Sequence, residues 1–381
     1  MKKTLCPDLT RGFLPPQDPI QHLPHDFGAW EQLAAELPKL LTSTQTRVAI
    51  RNLPLFATHQ LTTAAELERA MLILSYLGHA YVWNNANAVD RVPKVLALPW
   101  HAVAQQLGRP PVLSYASYAL YNWRRMDVKQ PIALGNIVLL QNFLGGLDEE
   151  WFILIHVAIE AEAAAGLNAM LPAVTAAKKN NEHALLECLE VMAHTLTAMC
   201  NTLERMPEHC DPYIYFNRVR PYIHGWKDNP ALPNGLIYEG VAAYENKPQF
   251  FKGETGAQST IIPCCDALLG ICHAQTPLKK HLDEMRSYMP PLHRAFLVTL
   301  EKESTVRDFV INANEERLRQ AYNECIQLVV RFRKTHINYA AHYIQKQSQV
   351  SITNPTEVGT GGTPFMAYLR EHLHETEAHK V

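Results

Sequence analysis

His336 is the residue whose type and surroundings are best suited to chemistry. It lies in the run Arg331-Phe332-Arg333-Lys334-Thr335-His336-Ile337-Asn338-Tyr339-Ala340-Ala341-His342-Tyr343. Val329, Phe332, His336, Ala340 and Tyr343 follow one another by steps of three and four, so they share one face of a helix. An imidazole in such an apolar stripe can point a nitrogen at the iron of a haem. It can also be a satisfied core histidine, one of 18 in the chain. His342, the nearest rival, sits on a different face. No CxxCH motif is present, so a haem here would be held without covalent attachment.

Other stretches could serve a flat ligand bearing a carboxylate. Tyr215-Phe216-Asn217-Arg218-Val219-Arg220 sets paired aromatics beside arginines. Aromatic faces stack on a ring, and a guanidinium grips a carboxylate through two parallel hydrogen bonds. The bland alternative is packing with a surface arginine. Phe251-Lys252-Gly253-Glu254-Thr255-Gly256-Ala257-Gln258-Ser259 places Thr255 between glycines ahead of a helix. Free backbone donors there suit an anion such as a propionate, although a glycine turn with a helix cap reads the same way. His156 stands among apolar neighbours, either as a donor into a pocket or as a core histidine. Gly359-Thr360-Gly361-Gly362-Thr363 lacks the Lys-Ser/Thr end of a P-loop and reads as a lid-like loop.

These side chains need a scaffold, and the sequence predicts a helical one. The first 28 or so residues are proline-rich and irregular. Helices are expected over 27–41, 63–83 (Thr63 with Glu66 forming a capping box), 112–123, 149–165, 182–206, 257–272, from 290 onward, and 315–347. The 182–206 segment has apolar residues at steps of three and four, the mark of an amphipathic helix. Strand signals are few. The fold class is therefore mostly α. A small N-terminal domain over 1–130 is expected to lead through a glycine- and proline-punctuated linker, 131–148, into a larger all-helical domain, 149–381.

Composition narrows the function. The chain has 381 residues, 47% of them hydrophobic, enough for a sizeable core. Its formal charge of −2 gives no footprint for nucleic acid and no basic membrane patch. The eight cysteines form no CxxC pair, which argues against structural zinc. No signal-peptide pattern and no apolar run of about 20 residues is apparent, so a cytoplasmic location and no membrane span are expected.

Taken in order, these segments resemble the indoleamine 2,3-dioxygenase family, in the manner of a bacterial-type member, and through it the tryptophan 2,3-dioxygenases. The resemblance runs from about Arg109 to the end. It is carried by Ser114-Tyr115-Ala116 with Asn122-Trp123, His224-Gly225-Trp226-Lys227 with Asn229-Pro230, and Gly235-Leu236-Ile237-Tyr238-Glu239-Gly240. Gly256 to Ser259, Asp266-Ala267-Leu268-Leu269-Gly270, Met285-Arg286-Ser287-Tyr288-Met289-Pro290-Pro291, the His336 helix and the Gly359 loop complete it.

The resemblance implies a haem b (iron protoporphyrin IX) dioxygenase that inserts both atoms of O2 into the indole ring of L-tryptophan, giving N-formylkynurenine. It implies His336 as the iron ligand. Tyr115, Tyr118, Phe152, Tyr215 and Phe216 become the pocket wall, and Arg220 the group that binds the substrate carboxylate. Thr255 and Gly256 would lie over the haem edge, and Thr360 and Gly361 would close on the amino-acid part of the substrate. Asp266 and Arg333 would form a charged pair beside the haem. Mammalian members carry serine where this chain has His156, phenylalanine at Tyr215, serine at Thr255 and a small residue at Tyr118. His156 would hydrogen-bond the indole N–H. The alternatives are a haem protein that acts on another indole, one that binds O2 or an indole without dioxygenation, and a cofactor-free helical interaction protein.

Overall fold

The structure, a computed structural model, describes residues 7–84, 87–350 and 366–381. It is mostly α-helical, as the periodicities predict. The helices that position the site are α1 (Ala64–Trp83), α2 (Lys94–Leu107), α3 (Leu147–Glu162), α4 (Ala164–Lys178), α5 (Glu182–Glu204), α6 (Ile261–Leu269), α7 (Pro291–Glu303), α8 (Glu316–Ala340) and α9 (Met366–Glu377). Strands among the described residues are short. Arg91–Val92 pairs in parallel with Ile237–Tyr238, and Arg124–Arg125 pairs antiparallel with Ile137–Val138.

The start of α1 follows from its sequence. Thr63 Oγ1 accepts the Glu66 N–H at 3.2 Å, and the Glu66 carboxylate accepts the N–H groups of Thr62 and Thr63 at 2.7 and 2.9 Å. Backbone donors that the first turn would leave unpaired are thereby satisfied. From Glu68 to Val82 every residue of α1 is buried, so the helix runs through the core rather than over it. Gly78 makes room for α2: a Cβ there would lie 2.2 Å from the Trp100 ring.

Two hydrophobic cores share one wall. The first gathers α1, α2, the segment around Tyr115 to Trp123, and a later excursion of the chain that includes Ile223, Trp226 and Tyr238. The second lies among α4 to α8. Helix α3 serves both. Ile153, Leu154, Val157 and Ala158 face the first core, whereas Trp151, Ile155 and Ile159 face the second. Phe152 and His156 therefore ride on the element between the cores.

Several expected elements have different limits. The stretch 112–123 forms only a π-helical turn, Ala116–Leu120, and the long C-terminal helix is α-helical to Ala340 before a second π turn, Ala341–Gln345. A third π turn is Tyr215–Val219. Each widens the helix by one residue, and such turns recur at functional sites. Helix α6 starts only at Ile261, after a 3₁₀ turn at Gly256–Gln258. The sequence suggested no apolar run of spanning length, yet Leu147–Lys178 is long and apolar enough to cross a bilayer. In the fold 56% of its most apolar window is buried, and its Glu149 and Glu160 are inside the protein.

His79 on α1 joins the two chain segments that flank the site. Its Nδ1–H donates to the Tyr222 carbonyl at 2.8 Å, and its Nε2 accepts the Leu113 N–H at 2.9 Å. The carbonyl can only accept, so the tautomer is fixed. Burial lowers its pKa to about 4, which keeps it neutral. Replacing it as His79→Leu strands two buried backbone groups. The expected loss is roughly 2–5 kcal/mol, read from denaturant midpoints at constant m-value. A loss within experimental error would show that water reaches both groups.

Candidate active site

The site begins at α3. His156 Nδ1 lies 2.7 Å from the Phe152 carbonyl one turn back, so it must carry the proton. Neutral His156 then presents Nε2 as an acceptor. Burial lowers its pKa, which favours that neutral form.

Aromatic rings from its own helix and from two further segments surround it. Phe152 lies 4.8 Å from the His156 ring and 4.5 Å from Tyr215. Tyr115 meets His156 edge-on at 5.9 Å, and Tyr118 lies 6.3 Å from Phe152. Tyr118 and Tyr215 are both on π turns. The Tyr118 hydroxyl is buried and has no hydrogen-bond partner among the described residues. Tyr215 also packs edge-on against Tyr343 at 5.9 Å, which brings the end of the His336 helix to the same wall.

His336 combines burial with access. Burial first, and then the electrostatic influence of His156 and Arg333, push its pKa down to about 4. Yet the residue is exposed. His156 lies near enough to influence it. The imidazole is neutral at pH 7, the form that ligates a metal, and no hydrogen bond to a described residue engages it.

Arg220 follows the third π turn and is fully buried. Its guanidinium lies over the Phe216 ring, 5.2 Å from the centroid. Burial lowers its pKa to about 10, so it stays charged at neutral pH. The turn bearing Thr255 is held nearby by backbone contact. A Cβ on Gly225 would lie 2.2 Å from the Gly253 nitrogen, so only glycine permits this approach. Thr255 caps the turn Gly256–Gln258, and Gly256 is exposed with open space beside it.

The predicted Asp266–Arg333 pair is present, with Arg333 Nη2 2.6 Å from Asp266 Oδ2. Burial would raise the Asp266 pKa, but Arg333 and His273 hold it below the ordinary value. Arg333 Nη1 also donates to Thr376 Oγ1 at 2.6 Å. The pair thus fixes α8, three residues before His336, against α6 and α9. Thr360 and Gly361 lie outside the described residues.

Three contributors escaped the sequence reading. Gln258 accepts the Tyr115 N–H at 2.8 Å and donates to the Gly253 carbonyl at 2.9 Å, which locks the Thr255 turn to the aromatic wall. Glu160, one turn after His156, accepts the hydroxyls of Tyr115 and Ser259, each at 2.9 Å, and burial raises its pKa to about 7. Glu254 is buried, with a pKa pushed up to about 8, and its charge acts on Tyr115, Tyr118 and Tyr215. An acid one turn from His156 in an apolar run, and another inside a glycine-flanked turn, were the available signals.

A neutral, accessible histidine, an aromatic wall and a buried arginine on a helical fold suit a flat aromatic ligand that carries a carboxylate. Residues 8–379 match the indoleamine 2,3-dioxygenase family model, and the chain belongs to that family. It is a dioxygenase of a haem-dependent family. It is 33% identical to indoleamine 2,3-dioxygenase 2 of Homo sapiens and 36% identical to indoleamine 2,3-dioxygenase 1 of Rattus norvegicus, each match covering 94% of this chain and 90% of the relative. It is also 33% identical to a 6-hydroxytryptophan 2,3-dioxygenase of Fusarium equiseti, over 95% of this chain and 93% of the relative.

Proposed function

We propose that this chain holds a haem b on His336 and inserts both atoms of O2 into the indole ring of L-tryptophan, giving N-formylkynurenine. One observation carries the reading: a neutral, accessible His336 lies close to His156, whose aromatic neighbours Phe152 and Tyr215 lead to the buried Arg220. These residues fit the cofactor. The imidazole is in the ligating form, and the aromatic side chains around His156 suit a flat macrocycle and an indole. When bound, the haem supplies the activation of O2.

The protein's own side chains do the rest. Arg220 grips the substrate carboxylate and fixes one end of the molecule. Phe152, Tyr215 and Phe216 fix the ring plane, and Tyr115 and Tyr118 complete the wall. Orientation of this kind is a large share of catalysis when a small reactant must meet one bond of a ring. His156 Nε2 accepts the indole N–H. Thr255 and Gly256 offer donors to a propionate or to the amino-acid part. Asp266 and Arg333 hold the His336 helix in place. The described cysteines are all free thiols, in keeping with a cytoplasmic, reducing setting.

The ultraviolet–visible spectrum of haem-supplemented protein tests this, followed in the same cuvette by tryptophan, ascorbate and methylene blue in air. A Soret band with new absorbance from N-formylkynurenine is the expected result. A Soret band without product would overturn the reaction, and no Soret band would overturn the cofactor. For His156, the rates with tryptophan and 1-methyltryptophan should differ in the wild type and converge in His156→Ala. Equal rates in both proteins would remove the hydrogen bond from the scheme.

A second reading rests on the buried, unpartnered Tyr118 hydroxyl. A ring-hydroxylated tryptophan would satisfy it, and one relative is named for such a substrate. Product mass after incubation with each indole decides which substrate gains two oxygens.

A further inference from the structure

Beside the Asp266–Arg333 pair, three side chains with metal-ligating atoms converge, none of them His156 or His336. His273 follows α6, and His372 and Glu375 stand three apart on one face of α9. One ligating atom from each lies within 4.8 Å of the others. His273 Nδ1 is 2.6 Å from Glu375 Oε2, and its Nε2 is 3.4 Å from Asp266 Oδ2. The His273 and His372 rings stack 3.9 Å apart, 7° from parallel. His372 is 4% exposed, and its Nε2 is buried with no hydrogen-bond partner among the described residues.

A plain docking network explains part of this. A proton on His273 would bind Glu375 and tie α9 to the body of the protein. It does not explain His372, whose unpaired ring nitrogen carries a desolvation penalty that an apolar ring would avoid. The geometry points to a binding site for a divalent transition metal, with zinc the best match, formed by His273, His372 and Glu375. Two imidazoles and one carboxylate make a tetrahedral zinc set with water as the fourth ligand.

The ion would take the place of the proton between His273 Nδ1 and Glu375. His273 would then carry its proton on Nε2, facing Asp266. A carboxylate behind a ligating histidine is the usual way its tautomer and ring are fixed. Arg333 Nη2, 3.4 Å from His273 Nε2, opposes a cation, but it is already paired with Asp266 at 2.6 Å. Parallel rings cannot both aim in-plane at one ion. Binding therefore requires the His372 ring to turn about its Cβ–Cγ bond and open the stack. The bound ion would fasten α9 to the segment after α6, at the pair that braces α8. This inference is independent of the proposed haem chemistry.

The test uses full-length, haem-supplemented protein equilibrated with Zn²⁺, with zinc and iron counted by mass spectrometry. We expect one zinc per chain in the wild type and at least about tenfold weaker binding in His372→Ala and Glu375→Gln, with Asp266→Asn also weakened. Cys272→Ser, at an exposed thiol, and His183→Ala, on the far-exposed surface of α5, should bind as the wild type does. No stoichiometric zinc in the wild type, or unchanged affinity in the His372 and Glu375 variants, overturns the site. Because those variants could loosen α9, X-ray absorption on the zinc-loaded wild type gives a reading without substitution. Imidazole scattering with nitrogen and oxygen at about 2.0 Å is expected. An all-oxygen shell, meaning an adventitious ion only, or sulfur at about 2.3 Å from Cys272, overturns it.

Discussion

His336→Ala should purify without a Soret band, and added haem should not restore the wild-type spectrum. The side chain is an accessible neutral imidazole, with its pKa lowered to about 4 by burial. Alanine offers iron no ligand, and among the wall residues only His156 keeps a free ring nitrogen, which the proposed scheme gives to the indole N–H. Free imidazole should partly restore the spectrum, because the substitution leaves room where the ring stood. Far-UV circular dichroism separates loss of ligand from loss of fold, since α8 is anchored through Arg333, Asp266 and Thr376 rather than through His336. A variant with an ordinary haem spectrum would move the ligand elsewhere. His342, on the π turn that follows this helix, is the nearest alternative, because its Nδ1–H donates to the Asn338 carbonyl and leaves Nε2 free.

Arg220→Ala should raise KM for L-tryptophan by about 100-fold, the effect of losing two charge-assisted hydrogen bonds worth about 3 kcal/mol together. The Soret band should survive, which distinguishes substrate binding from cofactor binding. Arg220→Lys should recover little. It keeps the charge, but it loses the planar fork and the stack on Phe216 seen at 5.2 Å. An unchanged KM in the alanine variant would mean that the carboxylate is bound elsewhere. A matched loss with tryptamine, which has no carboxylate, would mean that Arg220 acts on the shape of the pocket instead.

The sequence disclosed most where the physics is local. The capping box at Thr63 and Glu66, the stripe of α5 and the long His336 helix each depend on residues a few positions apart, and each is present. The family resemblance added what local rules cannot, by bringing Arg220, His156 and His336 into one expectation. The structure does bring His156 near His336, packs Phe152 and Tyr215 together, and pairs Asp266 with Arg333. Positions held by distant partners were not legible. Gln258 matters because it bonds Tyr115, 143 residues away. His79 matters because it bridges Leu113 and Tyr222. Neither belongs to a short motif. Helix α2 was hidden by Pro99 within it, and α4 similarly contains Pro172, since an internal proline argues against a helix when only its neighbours are known.

The π turn at Tyr215–Val219 bears on how this aromatic wall can diverge. A wide turn holds one residue more than an α turn would, and each helical residue advances the chain by about 100°. Deleting a single residue there would rotate Arg220 by that angle against Tyr215 and Phe152 while leaving every side chain chemically intact. Ala116–Leu120 gives Tyr118 the same sensitivity. The mutational step with the greatest reach in this pocket is therefore a change in chain length by one codon, and lineages that differ by such an indel would present different walls to the indole even with identical residue types.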